Sequence, residues 1–343
     1  MKYKTALVIG AGAFGTSVGH ILSQNFEQVI LKVRSPDLYN CLSKGENSIY
    51  LPGQKLSPNM TPALTWEEID SKIIDKVELI IIGLPSSALK SLCQNSQKQL
   101  KSFLDKEIPV VSLSKGIDSK TLELPDDIFF DYFINQRDLF TFLSGPTFAR
   151  EIVEKQITVA SLAGRSKRIL ESVARMLQTD YFKVFPSYDI KGVLLGGALK
   201  NVVAIAGGII EGLGFNDNTR AALITRGIVE MLRFGHVFNA RPETFYGLSG
   251  MGDLILTTTG GLSRNKVFGL EIAKGRKPEE IIKSQRAVVE GYKTAQATYH
   301  LAQKYDIRCT IFEGLYNVLY ENADPMDVIK KVMRVPPKFE ISM

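Results

Sequence analysis

The stretch Ala6-Leu-Val-Ile-Gly10-Ala-Gly12-Ala-Phe-Gly15-Thr16 decides how the first half of this chain is built. Four apolar residues in a row, Ala6 to Ile9, predict a strand buried on both faces. The glycines follow at once, and Thr16 to Asn25 then reads as a helix and Gln28 to Val33 as a second strand. In that strand–turn–helix–strand setting each glycine has a job. Gly10 permits the tight turn, Gly12 lets backbone approach a pyrophosphate, and Gly15 lets helix and strand pack closely. The helix N-terminus offers unpaired N–H groups and the positive end of its dipole to phosphates. The stretch therefore predicts a dinucleotide cradle.

The tip of the second strand narrows the choice of dinucleotide. An Asp or Glu there would take a ribose 2′-hydroxyl, but this chain has Arg34 and no acid between Glu27 and Asp37. A guanidinium suits a 2′-phosphate, so NADP is favoured over NAD; the alternative is a solvated arginine at a strand end. Further buried strands are expected at Val77–Gly83, Pro109–Leu113, Phe140–Leu143, Thr158–Ser161 and Phe182–Phe185, with a helix over Ser166–Gln178. The first half is thus an α/β, Rossmann-like, doubly wound sheet. Ligands lie beyond the carboxyl ends of such strands, which is where Lys115 and the loop Ser144–Glu151 fall.

After Pro186 the strand pattern stops and helical spacing takes over, giving an all-α second half. Residues 1–187 are expected to form the dinucleotide-binding domain, 188–335 a helical substrate domain and 336–343 a tail. Lys200 stands in the middle of an apolar, glycine-dotted stretch, Gly192 to Glu211, of a helix expected from Asp189 to Leu213. A buried amine is costly unless it is paired or used, and burial lowers its pKa toward the range of proton exchange. Gly196, Gly197, Ala204, Gly207 and Gly208 share its stripe, so either backbones touch there or a ligand enters. The alternative is a helix crossing from which Lys200 snorkels outward. Asp253, in glycine-rich Gly247-Leu-Ser-Gly-Met-Gly-Asp253, is placed to answer Lys200 or a substrate hydroxyl. Ser263 reads as an N-cap with Arg264 and Asn265 in the first turn, either an ordinary capped helix or a phosphate site.

Composition bounds the partners. The net charge of +6 is dispersed, with no run of five basic residues and no zinc-finger or RNA-binding motif. Small anionic ligands fit that balance better than nucleic acid. Cys41, Cys93 and Cys309 are far apart and odd in number, and the three histidines show no ligand spacing. No metal site is expected, and a reducing cytoplasm fits. The first apolar run is too short for a secretory signal, and Lys200 interrupts the longest apolar stretch, so no transmembrane segment is expected. A homodimer is the base-rate expectation.

Seven stretches in order carry a resemblance: Gly10-Ala-Gly-Ala-Phe-Gly-Thr16, Ser114-Lys-Gly116, Gly145-Pro-Thr-Phe-Ala149, Gly197-Ala-Leu-Lys-Asn201, Gly247-Leu-Ser-Gly-Met-Gly-Asp253, Leu262-Ser-Arg-Asn265 and Val289-Glu-Gly-Tyr-Lys-Thr294. With these, the chain resembles the bacterial-type NAD(P)-dependent glycerol-3-phosphate dehydrogenases over nearly its whole length. The resemblance implies reversible reduction of dihydroxyacetone phosphate to sn-glycerol 3-phosphate, feeding phospholipid synthesis. It implies Lys200 as proton donor and acceptor. It implies substrate contacts at Lys115, Gly145, Thr147, Lys200, Asp253, Ser263, Arg264 and Asn265. Cofactor contacts are implied at Ala13, Phe14, Arg34, Tyr50, Lys115, Ala149, Arg264, Val288 and Glu290, besides the three glycines. Departures are Asn216 in place of glycine, Gly260-Gly261 in place of a glycine–acid pair, and Thr147 in place of serine.

Overall fold

The computed structural model describes residues 2–69, 71–284 and 289–334, so the expected tail lies outside the described residues. Eight strands form one sheet: β1 (Tyr3–Ile9), β2 (Phe26–Lys32), β3 (Met60–Ala63), β4 (Val77–Ile82), β5 (Val110–Ser112), β6 (Phe140–Ser144), β7 (Thr158–Gly164) and β8 (Phe182–Ser187). Their order is β8-β7-β6-β5-β4-β1-β2-β3. All pairings are parallel except β6 with β7, where Ser144 faces Ser161. Ala6, Leu7 and Val8 of β1 are wholly buried, as a central strand covered on both faces requires. The helix Lys167–Leu177 shows why one face packs. Ile169, Leu170, Val173, Met176 and Leu177 recur at helical spacing and are buried, and Ser166 caps the helix by accepting from the Ile169 N–H.

The order of strands reverses between β1 and β4, and the glycines converge there. Gly10 has φ +96°, a left-handed value that favours glycine. A Cβ on Gly15 would stand 2.0 Å from the Gly10 carbonyl oxygen, and one on Gly83 would stand 2.9 Å from the Gly15 Cα. Three backbones therefore touch where side chains would hold them apart. Helix α1 (Ala13–Asn25) begins one turn earlier than its sequence suggests, with Gly12 at its N-cap and no side chain capping it.

From Ile190 the chain is helical: α2 (Ile190–Gly212), α3 (Asp217–Val237), α4 (Asp253–Thr259), α5 (Arg264–Ala273), α6 (Glu290–Lys304), α7 (Thr310–Tyr320) and α8 (Pro325–Met333). Asp189 caps α2 by accepting from the Gly192 N–H at 2.9 Å. α2 is the central helix, packed against α3, α4, α5 and α6. It is long and apolar enough to cross a membrane, yet 94% of its most apolar window is buried inside the fold. Its glycine stripe is filled by packing. A Cβ on Gly208 would meet the Lys266 carbonyl at 2.0 Å, and one on Gly196 would meet the Ser249 carbonyl at 2.7 Å. Backbone contact accounts for Gly196 and Gly208, whereas a Cβ on Gly197 would meet Ser144 Oγ at 2.4 Å and one on Gly207 only side-chain atoms, the nearest at 3.5 Å. Asn216 takes its place easily, because the left-handed residue of that turn is Gly214 (φ +87°) and Asn216 is an extended N-cap.

Candidate functional site

Five strand ends lie along the carboxyl edge of the sheet. Gly10 follows β1, Arg34 lies just past β2, Gly83 follows β4, Lys115 lies just past β5, and Gly145 follows β6. α2, α4, α5 and α6 carry Lys200, Asp253, Arg264 and Glu290, and Lys115 reaches across from that edge to Asp253.

Lys200 does not snorkel; it is 7% exposed. Its ammonium donates to Asp253 Oδ1 at 2.9 Å and to Thr257 Oγ1 at 2.8 Å. The other carboxylate oxygen of Asp253 accepts from Lys115 Nζ at 2.9 Å. Lys115 also donates to the Gly145 carbonyl at 3.0 Å and to Thr147 Oγ1 at 3.3 Å, and lies 5.3 Å from the centre of the Phe14 ring. An ammonium has three donors. Those of Lys115 are all engaged, whereas Lys200 keeps one N–H unspent among the described residues. Burial pulls the Lys200 amine down to about 8, with Asp253 opposing the shift and the Lys115 charge adding to it. Burial alone would push the Asp253 carboxyl up, but Lys115 and Lys200 outweigh it and hold it below the usual carboxylate range.

Beside this triad an amide chain joins three helices. Asn265 Nδ2 donates to Asn201 Oδ1 at 2.8 Å, and Asn265 Oδ1 accepts from the Gly291 N–H at 3.1 Å. Ser263 caps α5 by accepting from the Lys266 N–H at 3.2 Å, so the cap reading holds. Arg264 is exposed and has no hydrogen-bond partner among the described residues, leaving a guanidinium and a helix N-terminus free for an anion. Glu290 opens α6. Burial pushes its carboxyl up to about 7 against the pull of Arg264, Lys115 and Lys200.

The structure thus gathers Phe14, Gly145, Thr147, Lys200 and Asp253 around Lys115, with Ser263, Arg264 and Asn265 at the start of α5 and Glu290 at the start of α6. Ala149 opens a short helix, Ala149–Val153, two residues past Thr147. Arg34 and Tyr50 stand apart from the lysine cluster. Arg34 is exposed at the tip of β2, and Tyr50 is joined to the glycine turn through Asn47. Val288 lies outside the described residues. Sequence reasoning missed Thr257 and the amide role of Asn201. The one available signal for Thr257 was its place four residues after Asp253, on the same face of a helix.

The cleft suits a dinucleotide. A Cβ on Gly12 would meet nothing within 4 Å, so its Cα faces open space at the uncapped start of α1.

Comparison with known proteins agrees with this geometry. A family model described as the N-terminus of NAD-dependent glycerol-3-phosphate dehydrogenase matches residues 5–169, and one described as its C-terminus matches residues 189–330. A glycerol-3-phosphate dehydrogenase [NAD(P)+] of Syntrophotalea carbinolica is 40% identical over 97% of this chain and 98% of its own length. One of Citrifermentans bemidjiense is 40% identical over 95% and 96%. The solved structure of glycerol-3-phosphate dehydrogenase from Coxiella burnetii superposes with a TM-score of 0.87 at 29% identity, covering 97% of this chain and 99% of that one. By sequence along nearly its whole length and by fold, the chain belongs to the NAD-dependent glycerol-3-phosphate dehydrogenase family.

Proposed function

We propose that this chain catalyses the reversible, NAD(P)-dependent interconversion of dihydroxyacetone phosphate and sn-glycerol 3-phosphate, with Lys200 as the proton donor and acceptor. The observation that carries the reading is the Lys115–Asp253–Lys200 bridge, buried at the carboxyl edge of the sheet opposite the glycine cradle.

When bound, the dinucleotide supplies or takes a hydride at its nicotinamide ring. The chain's own groups do the rest. Asp253 and Thr257 hold two of the three Lys200 donors, which aims the third at the substrate's C2 oxygen. That N–H stabilises the developing negative charge and then gives up its proton. In the oxidation direction neutral Lys200 takes the proton from the C2 hydroxyl. Lys115, with every donor engaged, acts as a fixed positive charge that makes Lys200 a readier acid. Arg264 and the α5 N-terminus hold the phosphate, with Ser263 and Asn265 shaping the turn. Fixing the phosphate end positions C2, and positioning of this kind supplies several kcal/mol of a barrier.

Arg34 at the tip of β2, with no acid beside it in sequence, supports NADP as the preferred cofactor. Residues 1–187 serve as the dinucleotide domain and 188–335 as the substrate domain in this reading, supported by the change from strands to helices after Ser187. The three unpaired cysteines support a cytoplasmic setting, where the product would feed phospholipid synthesis. A homodimer remains the base-rate expectation.

The test is a substrate panel with purified protein. Oxidation of NADPH and NADH is followed with dihydroxyacetone phosphate, with ketopantoate and without substrate. Turnover confined to the phosphorylated ketone supports the reading; turnover with ketopantoate alone refutes it.

A further inference from the structure

Asn47 is wholly buried at the end of the two-residue strand Glu46–Asn47, which pairs with Leu51–Lys55 in a hairpin. Its side chain touches three separate segments. Nδ2 donates to the Ala11 carbonyl at 3.0 Å and to Thr16 Oγ1 at 2.8 Å. Oδ1 accepts from the Tyr50 N–H at 3.1 Å. Thr16 Oγ1 closes the ring by donating to the same Ala11 carbonyl at 3.1 Å.

The consequence follows from peptide geometry. A trans peptide points its N–H opposite its C=O. Two buried donors pin the Ala11 carbonyl inward, so the Gly12 N–H of that peptide faces outward into the cleft. Gly12 N–H has no protein acceptor among the described residues. The turn needs this restraint because Gly10 and Gly12, on either side of Ala11, are the residues least able to hold a peptide plane themselves. An amide side chain donates to Ala11 and accepts from Tyr50 at this reach whatever the pH.

We propose that Asn47 is a positioning residue for the dinucleotide. It orients the Ala11–Gly12 peptide toward the pyrophosphate and locks the hairpin that carries Tyr50 to the same turn. This rests on the dinucleotide-binding reading of the cleft. Asn47 itself touches no ligand.

Asn47→Asp tests it, because a carboxylate cannot donate to Ala11 and sets a negative charge beside the phosphate site, whereas a protonated carboxyl donates again. With purified full-length protein, NADPH dissociation constants are measured by fluorescence titration across pH, alongside kcat, KM and thermal midpoint. The expected result at about pH 8 is a Kd raised about 10- to 100-fold with kcat at saturating NADPH within about threefold. The Kd should recover several-fold toward wild type at about pH 5. Thr16→Val, which removes the second donor to Ala11 and is milder to the fold, should raise Kd about threefold. The proposal is overturned if Asn47→Asp binds NADPH as wild type does, or if its loss of affinity is the same at both pH values. If Asn47→Asp does not fold, a wild-type Kd in Thr16→Val overturns it alone. Wild-type protein that binds neither NADPH nor NADH would instead defeat the dinucleotide reading.

Discussion

Lys200 and Lys115 share one carboxylate, Asp253, each at 2.9 Å from a different oxygen. The sharing assigns them different work. Lys115 spends all its donors on protein acceptors, whereas Lys200 keeps one donor unspent among the described residues, which the proposed mechanism gives to the substrate.

The pH profile follows from the Lys200 amine, pulled down to about 8. On the proposed mechanism ketone reduction uses the Lys200 ammonium, so its kcat/KM should fall as pH rises through about 8, and alcohol oxidation should rise through the same range. Rates measured in both directions check this; a reduction rate that is flat across that range contradicts it.

Asp253→Asn removes the anion between two buried ammoniums. Leaving buried charge uncompensated costs about 3–5 kcal/mol. The variant should lose stability and about 10²-fold or more in turnover. The alkaline limb of its residual reduction profile should move to lower pH, because Asp253 is what raises the Lys200 amine against burial. Thermal melting and the pH–rate profile read the two effects separately.

Gly291→Ala probes the amide chain. Its Cβ would stand 2.6 Å from Asn265 Oδ1 and 2.7 Å from the Asn201 carbonyl. Overpacking of this kind costs about 1–3 kcal/mol. Because Asn265 stands beside Arg264 at the proposed phosphate end, KM for dihydroxyacetone phosphate should rise about tenfold. An unchanged KM in steady-state kinetics would separate the amide chain from substrate binding.

Glu230 gives a stability test away from the site. This buried carboxylate on α3 accepts from the Ile311 and Phe312 N–H groups and so caps α7 from another helix. Burial raises it from its ordinary 4.5 to about 7. The folded state then binds its proton more tightly than the unfolded state, so this contribution is full below 4.5 and is lost as pH rises through about 7. Glu230→Gln keeps an acceptor without the charge. Its melting midpoint should match wild type at about pH 5 and exceed it by about 2–4 °C at about pH 8.

The parts readable in the sequence were those whose physics is local. Gly10, Gly12 and Gly15 sit within one turn and announce a cradle because few other residues fit there. Lys200 was legible because a charge among Val, Leu and Ile has to be explained. The third strand Met60–Ala63 and the hairpin of Glu46–Asn47 with Leu51–Lys55 were not foreseen, being short and interrupted by Pro62, Pro52 and Gly53. Nor did anything in Thr158–Gly164 show that this strand runs against Phe140–Ser144; direction is decided by the connection, not by the strand's own residues. The roles of Thr257, Asn201 and Asn47 depend chiefly on partners more than 30 residues away, Lys200, Asn265 and Ala11. Such pairings leave no periodic trace.

Arg34 is exposed at its strand tip and free to meet a 2′-phosphate. Arg34→Glu should weaken NADPH about 10- to 100-fold and NADH far less. Titration of both cofactors decides it, and an unchanged ratio of the two constants removes the role.

The most direct measurement concerns Lys200→Met, which keeps the apolar stem and leaves Asp253 paired with Lys115. NADPH affinity and turnover of dihydroxyacetone phosphate are determined on the same preparation. NADPH should bind as in wild type while kcat falls about 10³-fold or more. A variant that binds NADPH and still reduces dihydroxyacetone phosphate at a near-normal rate would contradict the assignment of Lys200 as the proton donor.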